Sequence, residues 1–340
     1  MKHLKNATVL IAITTVMFFS SCGNDDDFDT NQDIDPVNFE LNGTQEGDRI
    51  LDPSQGYTLT GSYIVKSGAT LTIPAGTQII SQVASNNYIA IEKGAEIDIQ
   101  GTASLPVVMK SSAGNQGDWG GLVLLGDALT TEGVDATAEV GGFIYGGTNT
   151  SDSSGNISFL VIKNAGAQIN ADSQYNGLTL YAVGSGTSIN NLALVDGADD
   201  GVEFFGGSVS ITNLYAENNQ DDSVDWTEGW NGTLTNTYVV HNNEGFSTAI
   251  EADGDNNNPT ITNFTAVSTV GGTALQFKKL SGATMTNVLL MGYDTNVDMK
   301  DQGPIENVII DTTPMSDPSD DVFNGTVVDI SGWAWIAAGL

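Results

Sequence analysis

Cysteine is almost absent from this chain of 340 residues, in which Cys22 is the only one. A disulfide within the chain needs a second cysteine, and a structural zinc site of the common kind needs several. We therefore expect a fold that has no disulfide and no structural zinc site built on cysteine.

Basic residues are also scarce, since 10 Lys and Arg stand against 42 Asp and Glu and give a formal net charge of −32. A field of this sign repels nucleic acids and anionic lipid surfaces. It attracts divalent cations and tolerates neutral glycans. The charge balance therefore predicts no nucleic-acid partner.

Long apolar runs are missing, and the longest is a stretch of thirteen residues from Ala7 to Phe19, which is too short to span a bilayer. Preceded by Lys2 and Lys5, it is typical of a secretory signal peptide. It runs into Phe19-Ser-Ser-Cys22, which resembles the lipobox of bacterial lipoproteins. We expect residues 1–22 to be a lipoprotein signal peptide and Cys22 to carry a lipid anchor in the outer membrane. The alternative is an ordinary secretory signal with an incidental cysteine.

An acidic run, Asp25 to Asp27, follows Cys22 closely. It is similar to the surface-export signal of Bacteroidota lipoproteins, which implies that the domain faces the cell exterior. The alternative, compatible with it, is a solvated tether, because aspartate-rich runs are usually disordered. We interpret residues 23–45 as an acidic, flexible tether.

Two motifs recur along the rest of the chain with a period of about 23 residues. Asparagines spaced 22, 23, 27, 24 and 20 residues apart form the first series: Asn191, Asn213, Asn236, Asn263, Asn287 and Asn307. The second series consists of short apolar–polar–apolar segments centred on Thr179, Glu203, Asp225, Glu251, Gln276 and Asp298. Each unit holds two or three alternating runs separated by Gly, Asn and Asp, the pattern of short strands and turns.

A unit of this length cannot bury its own apolar face, but stacked units form a continuous core. The sequence therefore predicts an all-β, right-handed parallel β-helix over residues 46–340, with 20–27 residues per coil and an asparagine ladder. The Gly-, Thr-, Asp- and Ser-rich stretch near 127–156 is predicted to be a long loop. The apolar C-terminal stretch near 322–340 is predicted to cap the open end of the solenoid.

Several motifs resemble those of a family of Bacteroidota outer-surface lipoproteins with a pectin-lyase-like β-helix. They are Leu71-Thr-Ile-Pro-Ala-Gly-Thr77, Gly117-Asp-Trp-Gly-Gly121, Asp199-Asp-Gly-Val-Glu-Phe-Phe-Gly-Gly207, Asp221-Asp-Ser-Val-Asp-Trp-Thr-Glu-Gly-Trp230 and Ile250-Glu-Ala-Asp-Gly254. The resemblance implies the fold and the surface location. It implies no particular activity.

Acidic residues dominate the outward positions of the second series. Because alternate strand residues point to opposite faces and neighbouring coils lie about 4.8 Å apart, an acidic patch is expected across three coils. Its candidate residues, for binding or catalysis, are Asp199, Asp200, Glu203, Asp221, Asp222, Asp225, Glu251 and Asp253, with the aromatic residues Phe205 and Trp230 beside them. Hard oxygen ligands suit Ca²⁺, and we predict a calcium site at Asp200, Glu203, Asp222, Asp225 and Glu251.

Three interpretations of the patch remain open. It is a calcium or glycan site on a non-catalytic surface protein, which binds a glycan or an outer-membrane protein. It is the active site of a carbohydrate-active enzyme, a polysaccharide hydrolase or lyase, with Asp200, Asp221 and Asp222 as candidate acids. Or its acids are turn formers and solvated strand faces. After Cys22 the chain has one His, His241, and one Arg, Arg49, which disfavours the enzyme.

Overall fold

The computed structural model describes residues 39–171 and 173–338. The predicted signal peptide, the predicted lipidation site Cys22 and most of the predicted tether lie outside the described residues. Within the described ranges, no helix has both the length and the apolar character that a membrane span requires.

The opening coils form a parallel β-helix, as the sequence predicted. Their strands are β1 (Glu40–Gln45), β2 (Arg49–Ile50), β3 (Gly56–Val65), β4 (Thr70–Pro74), β5 (Gln78–Ser81), β6 (Ile89–Ile91), β7 (Glu96–Gln100), β8 (Val107–Ser111) and β9 (Leu122–Leu125). The two ends of β1 pair in parallel with β3. The solenoid therefore starts at Glu40, inside the segment 23–45 that was predicted to be a flexible tether, because Leu41 is fully buried in the core.

The middle of the chain alternates long and short strands. The long ones are β12 (Gly155–Lys163), β14 (Ser188–Val195), β16 (Ser210–Glu217), β18 (Thr233–His241), β20 (Thr260–Ser268) and β22 (Ala283–Met291). The short ones are β13 (Leu178–Tyr181), β15 (Val202–Phe205), β17 (Val224–Thr227), β19 (Thr248–Ala252), β21 (Thr273–Phe277) and β23 (Thr295–Met299). Consecutive strands of each series pair in parallel. We call the surface made by the end of β3, by β6 and β9 and by these short strands the short-strand face.

An asparagine ladder bends the long strands, as predicted. Each side-chain amide donates to the Oδ1 of the asparagine one coil earlier, at 2.8 to 3.0 Å, through Asn191, Asn213, Asn236, Asn263 and Asn287. All five have φ between 56° and 60°, a conformation that asparagine tolerates better than most residues. Asn307 was predicted to continue the ladder but lies outside it, because Val308 pairs with Ala283 and so places Asn307 away from Asn287. It ends a 3₁₀ helix, Ile305–Asn307, and its amide donates to Leu280 O at 2.7 Å.

The predicted loop near 127–156 is a folded insertion that covers part of the short-strand face. It contains an antiparallel hairpin of β10 (Ala136–Thr137) and β11 (Ile144–Tyr145). Its buried residues Ala138, Val140 and Tyr145 pack against outward-facing residues of the coils, including Tyr181 and Phe205. Aromatic packing holds the insertion down, since the Tyr145 and Tyr181 ring centroids lie 4.8 Å apart.

The segment predicted to be a C-terminal cap is divided between the end and the side of the solenoid. After β24 (Val308–Ile310) and β25 (Thr313–Pro314), Asn324 bridges to Leu289 at the edge of β22, and Phe323 is buried in the main core. The chain then returns along the side of the coils, where Val328 N donates to Thr265 Oγ1 at 2.9 Å. It ends in a short helix, α1 (Trp335–Ala338), whose Trp335 is buried against Val108, Val161, Ala193, Val195 and Tyr215. Those outward side chains are apolar, so they require a cover, and the tail supplies it.

Candidate functional site

An acidic pocket lies where the chain enters the short strands of three successive coils. The turns before β15 and β17 supply two pairs of aspartates, and the strands supply one outward carboxylate each. The pocket measures about 290 Å³ and is lined by Glu139, Ala171, Ser173, Gln174, Asp199, Asp200, Glu203, Asp221, Asp222, Asp225 and Glu251. It therefore brings together seven of the ten residues that the sequence proposed.

The register of the short strands explains this convergence. Thr179, Glu203, Asp225, Glu251, Gln276 and Asp298 are successive partners in the parallel ladder. Their neighbours in sequence, such as Val202 and Phe204, point inward and are fully buried. Alternation therefore leaves one outward side chain per coil at this position, and three adjacent coils place a carboxylate there.

Hydrogen bonds fix the turn carboxylates. Asp222 N donates to Asp200 Oδ1 at 2.9 Å, across one coil. Thr248 Oγ1 donates to Asp222 Oδ1 at 2.5 Å. On the strand, Asn176 Nδ2 donates to Glu203 Oε2 at 2.7 Å. These contacts orient the carboxylates toward a common space before any ligand binds.

One cation adjoins the cluster among the described residues: Lys278, which forms an ion pair with Glu251. One ammonium cannot compensate so many carboxylates, and their ionisation becomes unfavourable. Burial, followed by the negative charges of Asp221 and Asp222, raises the pKa of Asp199 to about 7. Burial likewise raises the pKa values of Asp200, Glu203 and Asp225 well above those of ordinary carboxyls, and for each of them a nearby Asp225 or Asp222 carboxylate adds to the shift.

Two groups of three carboxylates have the spacing that a metal ion requires. Oxygens of Asp199, Asp200 and Asp221 lie within 4.8 Å of one another, and so do oxygens of Asp200, Glu203 and Asp225. Oxygens bound to one Ca²⁺ lie 2.3–2.6 Å from it, so they are separated by about 5 Å at most. In addition, Asp225 Oδ1 is buried and accepts no hydrogen bond. The donor set therefore fits a hard divalent cation.

Neither predicted aromatic side chain lines the acidic pocket, and the prediction for Trp230 is wrong. Trp230 is 0% exposed and stacks on Phe204 inside the core, with ring centroids 4.2 Å apart. Its indole Nε1 donates to Val209 O at 3.0 Å. Phe205 does point outward, but the insertion covers it and its ring stacks on Tyr181 at 4.3 Å.

Two further residues differ from the predicted lining of the acidic pocket. Asp253 does not line the acidic pocket, because it lies beyond the end of β19 and pairs with Lys279 at 2.9 Å. Conversely, sequence reasoning missed Glu139, which the insertion contributes to the rim. Glu139 also lines a second pocket of about 280 Å³, together with Glu132, Ala136, Thr137, Tyr145, Tyr181, Phe205 and Glu228. No repeat signal marks Glu139, since the insertion lies outside the coil pattern.

Comparison with known families agrees with this architecture. Residues 43–324 match the family model described as a pectate-lyase like beta helix domain. The comparison with curated proteins and the comparison with solved structures each find no match. The match covers most of the chain, including every residue of the acidic pocket, and this chain therefore belongs to the family of pectate-lyase-like β-helix domains.

Proposed function

We propose that this protein is a non-enzymatic binding protein of the cell surface, whose acidic pocket holds Ca²⁺ and uses it to bind a glycan. The single observation that carries the proposal is the arrangement of converging carboxylates around Asp225 Oδ1, a buried oxygen that accepts no hydrogen bond. A buried charge without a partner is costly, and a cation in contact with it removes that cost.

Calcium fits this pocket better than a softer metal. Every charged or hydroxyl ligand there is an oxygen donor, and the described lining residues include no histidine. Ca²⁺ binds six to eight oxygens in flexible geometry, so carboxylates from turns and strands can be combined with oxygens from a ligand. The bound ion would also keep the carboxylates ionised against the effect of burial.

A glycan is the ligand class that such a centre favours. Hydroxyl and carboxylate oxygens of a sugar can complete the coordination of Ca²⁺ from the open side of the pocket, where Asp221 is exposed. Without the ion, the cluster would repel an anionic sugar. Binding is therefore expected to depend on calcium.

The test is calorimetry and a glycan panel with the full chain, in CaCl₂ and in EDTA. We expect calcium-dependent retention of a glycan class, and an Asp225→Asn variant in which at least one Ca²⁺-binding step is weakened at least tenfold. Asp253→Asn is the matched control, because its ion pair lies outside the pocket, and it should bind as the wild type does. A protein that shows no heat with Ca²⁺ and retains the same glycans in EDTA would refute the proposal.

A polysaccharide-cleaving enzyme is the second candidate, and one observation favours it. With its pKa raised to about 7, Asp199 holds a proton near neutral pH, as a general acid must. Against it, the described residues that line the pocket include no Arg and no His. Release of reducing ends or unsaturated uronates from a polysaccharide panel, abolished by Asp222→Ala, would establish the enzyme and replace the binding proposal.

The proposed location at the outer surface follows from Cys22 and the acidic residues after it. Metabolic labelling with an alkyne fatty acid should mark the wild type, whereas Cys22→Ser should carry no label. External protease should degrade the protein on intact cells. Protection on intact cells, followed by degradation after lysis, would rule out surface display.

A further inference from the structure

The two groups of carboxylates in the acidic pocket overlap at one residue. Asp200 belongs to the outer group, with Asp199 and Asp221, and to the inner group, with Glu203 and Asp225. The outer group includes an exposed side chain, Asp221, whereas Asp200 is 6% exposed. One carboxylate thus stands between a position near solvent and a position at the strands.

The hydrogen bonds of the pocket leave one carboxylate oxygen of Asp200 and one of Asp225 free to bind a ligand. Asp200 Oδ1 accepts the Asp222 amide, and no hydrogen bond within the described residues reaches Asp200 Oδ2. In the inner group, Asp225 Oδ1 is buried and also lacks a partner. A side chain that is more than nine-tenths buried, with a free oxygen directed to the pocket, points to a ligand that the protein itself does not provide.

The charge of the pocket exceeds what one divalent cation neutralises. Eight carboxylates line it, and Lys278 pairs with one of them, Glu251. A single Ca²⁺ would balance two of the remaining carboxylates, and the others would have to bind protons or repel one another. A second ion bound beside the first, with a shared carboxylate, reduces this repulsion further, which is the arrangement used in two-metal sites.

We infer that the pocket binds two divalent cations side by side, with Asp200 as the bridging carboxylate. Asp199 and Asp221 complete the outer position, and Glu203 and Asp225 complete the inner one. This inference rests on the proposed function, in which the pocket holds Ca²⁺. The inner ion is held by the strands, and the outer ion, next to solvent, is the one that meets the glycan.

The stoichiometry of the wild type is the primary test and needs no variant. Calorimetry and native mass spectrometry of the full chain with CaCl₂ should give two ions per chain. One ion per chain would overturn the two-cation inference and leave the proposed function standing. No ion at all would overturn both.

Variants separate the two positions. Asp221→Asn and Asp225→Asn should each retain one ion, and Asp200→Asn should weaken both binding steps at least tenfold. Asp253→Asn should retain two. Circular dichroism in EDTA establishes that each variant is folded. If each of the three pocket variants lost both Ca²⁺-binding steps, the two positions would not be separable and the inference would be contradicted.

Manganese tests the bridge directly. Two Mn²⁺ ions that share a carboxylate should give a spin-coupled paramagnetic resonance spectrum. Asp221→Asn, with one ion left, should give the spectrum of an isolated ion. Two bound but uncoupled Mn²⁺ ions in the wild type would overturn the assignment of Asp200 as a bridge.

Discussion

The short-strand face has two regions that share one backbone and differ in what they present. In the early coils, the outward column consists of Ile64, Ala90 and Val123, which are successive ladder partners. In the later coils, the same column continues through Thr179 to Glu203, Asp225 and Glu251. The first region is apolar and covered by the insertion, and the second is acidic and lines a pocket. The solenoid therefore places one outward side chain per coil in this column. Apolar side chains there are covered by the insertion, and acidic ones line the pocket.

The largest effect on stability is expected from an acidic substitution in the covered, apolar region of the face. Val123 is fully buried beneath the insertion among apolar side chains, so Val123→Asp would place a charge in an apolar environment. We expect a loss of about 3–5 kcal/mol in the free energy of unfolding. Chemical denaturation measures it.

The control is Gln276→Glu, a change of charge at a half-buried position of the same column. It should cost less, about 1–2 kcal/mol, because the lost hydrogen bond from Gln276 to Asp298 and the new repulsion are partly screened by solvent. Equal costs at the two positions would show that the two regions of the face do not differ in tolerance for charge.

A pH series probes the acidic region alone. The pKa of Asp199 is about 7 in the folded chain and ordinarily 3.8, so the folded state binds more protons between these values. Stability in EDTA should therefore be highest at low pH within this window and decrease as the pH rises from about 4 to 7. Because one pKa unit corresponds to about 1.4 kcal/mol, we expect a loss on the order of a few kcal/mol.

Thermal unfolding at a series of pH values measures this loss, and saturating Ca²⁺ should reduce it. If metal-free protein became more stable as the pH rose from 5 to 7, the carboxylates of the pocket would have to be compensated by the protein itself.

The smallest effect is expected at the edge of the acidic region. Burial raises the pKa values of Asp222 and Asp225, and the charge of Lys278, which pairs with Glu251, partly opposes this rise. Lys278→Gln removes a cation that competes with Ca²⁺, and we expect two- to fivefold tighter Ca²⁺ binding by calorimetry, which corresponds to about 1 kcal/mol or less.

Lys279→Gln is the matched control, because the adjacent lysine pairs with Asp253 outside the pocket. It should leave the affinity for Ca²⁺ unchanged. Weaker binding in Lys278→Gln would mean that the lysine helps to assemble the site.

The repeats predicted the fold because periodicity is a property of the chain itself. Two series in one register fixed which residues stack, and the ladder from Thr179 to Asp298 follows that register. The acidic cluster could be found for the same reason. What periodicity does not contain is the packing of segments that leave the coils.

The errors follow from this limit. The direction of Trp230 depends on a turn, where alternation does not apply, and the ring turns into the core. Phe205 was assigned outward correctly, but the insertion that covers it has no repeat pattern. Glu139 was missed for the same reason. The C-terminal segment is apolar enough to cover a surface, but composition does not say which one.

Because each coil contributes one residue to the acidic column, the pocket can change by addition of whole repeats. Glu203 and Asp225 are ladder partners separated by 22 residues, and the same number of residues separates Asp199 and Asp221 in the turns before these strands. Duplication of one such stretch of the gene would therefore copy a complete set of acidic positions, already in register with its neighbours. A solenoid of this kind gives evolution a way to lengthen a binding surface in steps of one coil, without redesigning the residues already present.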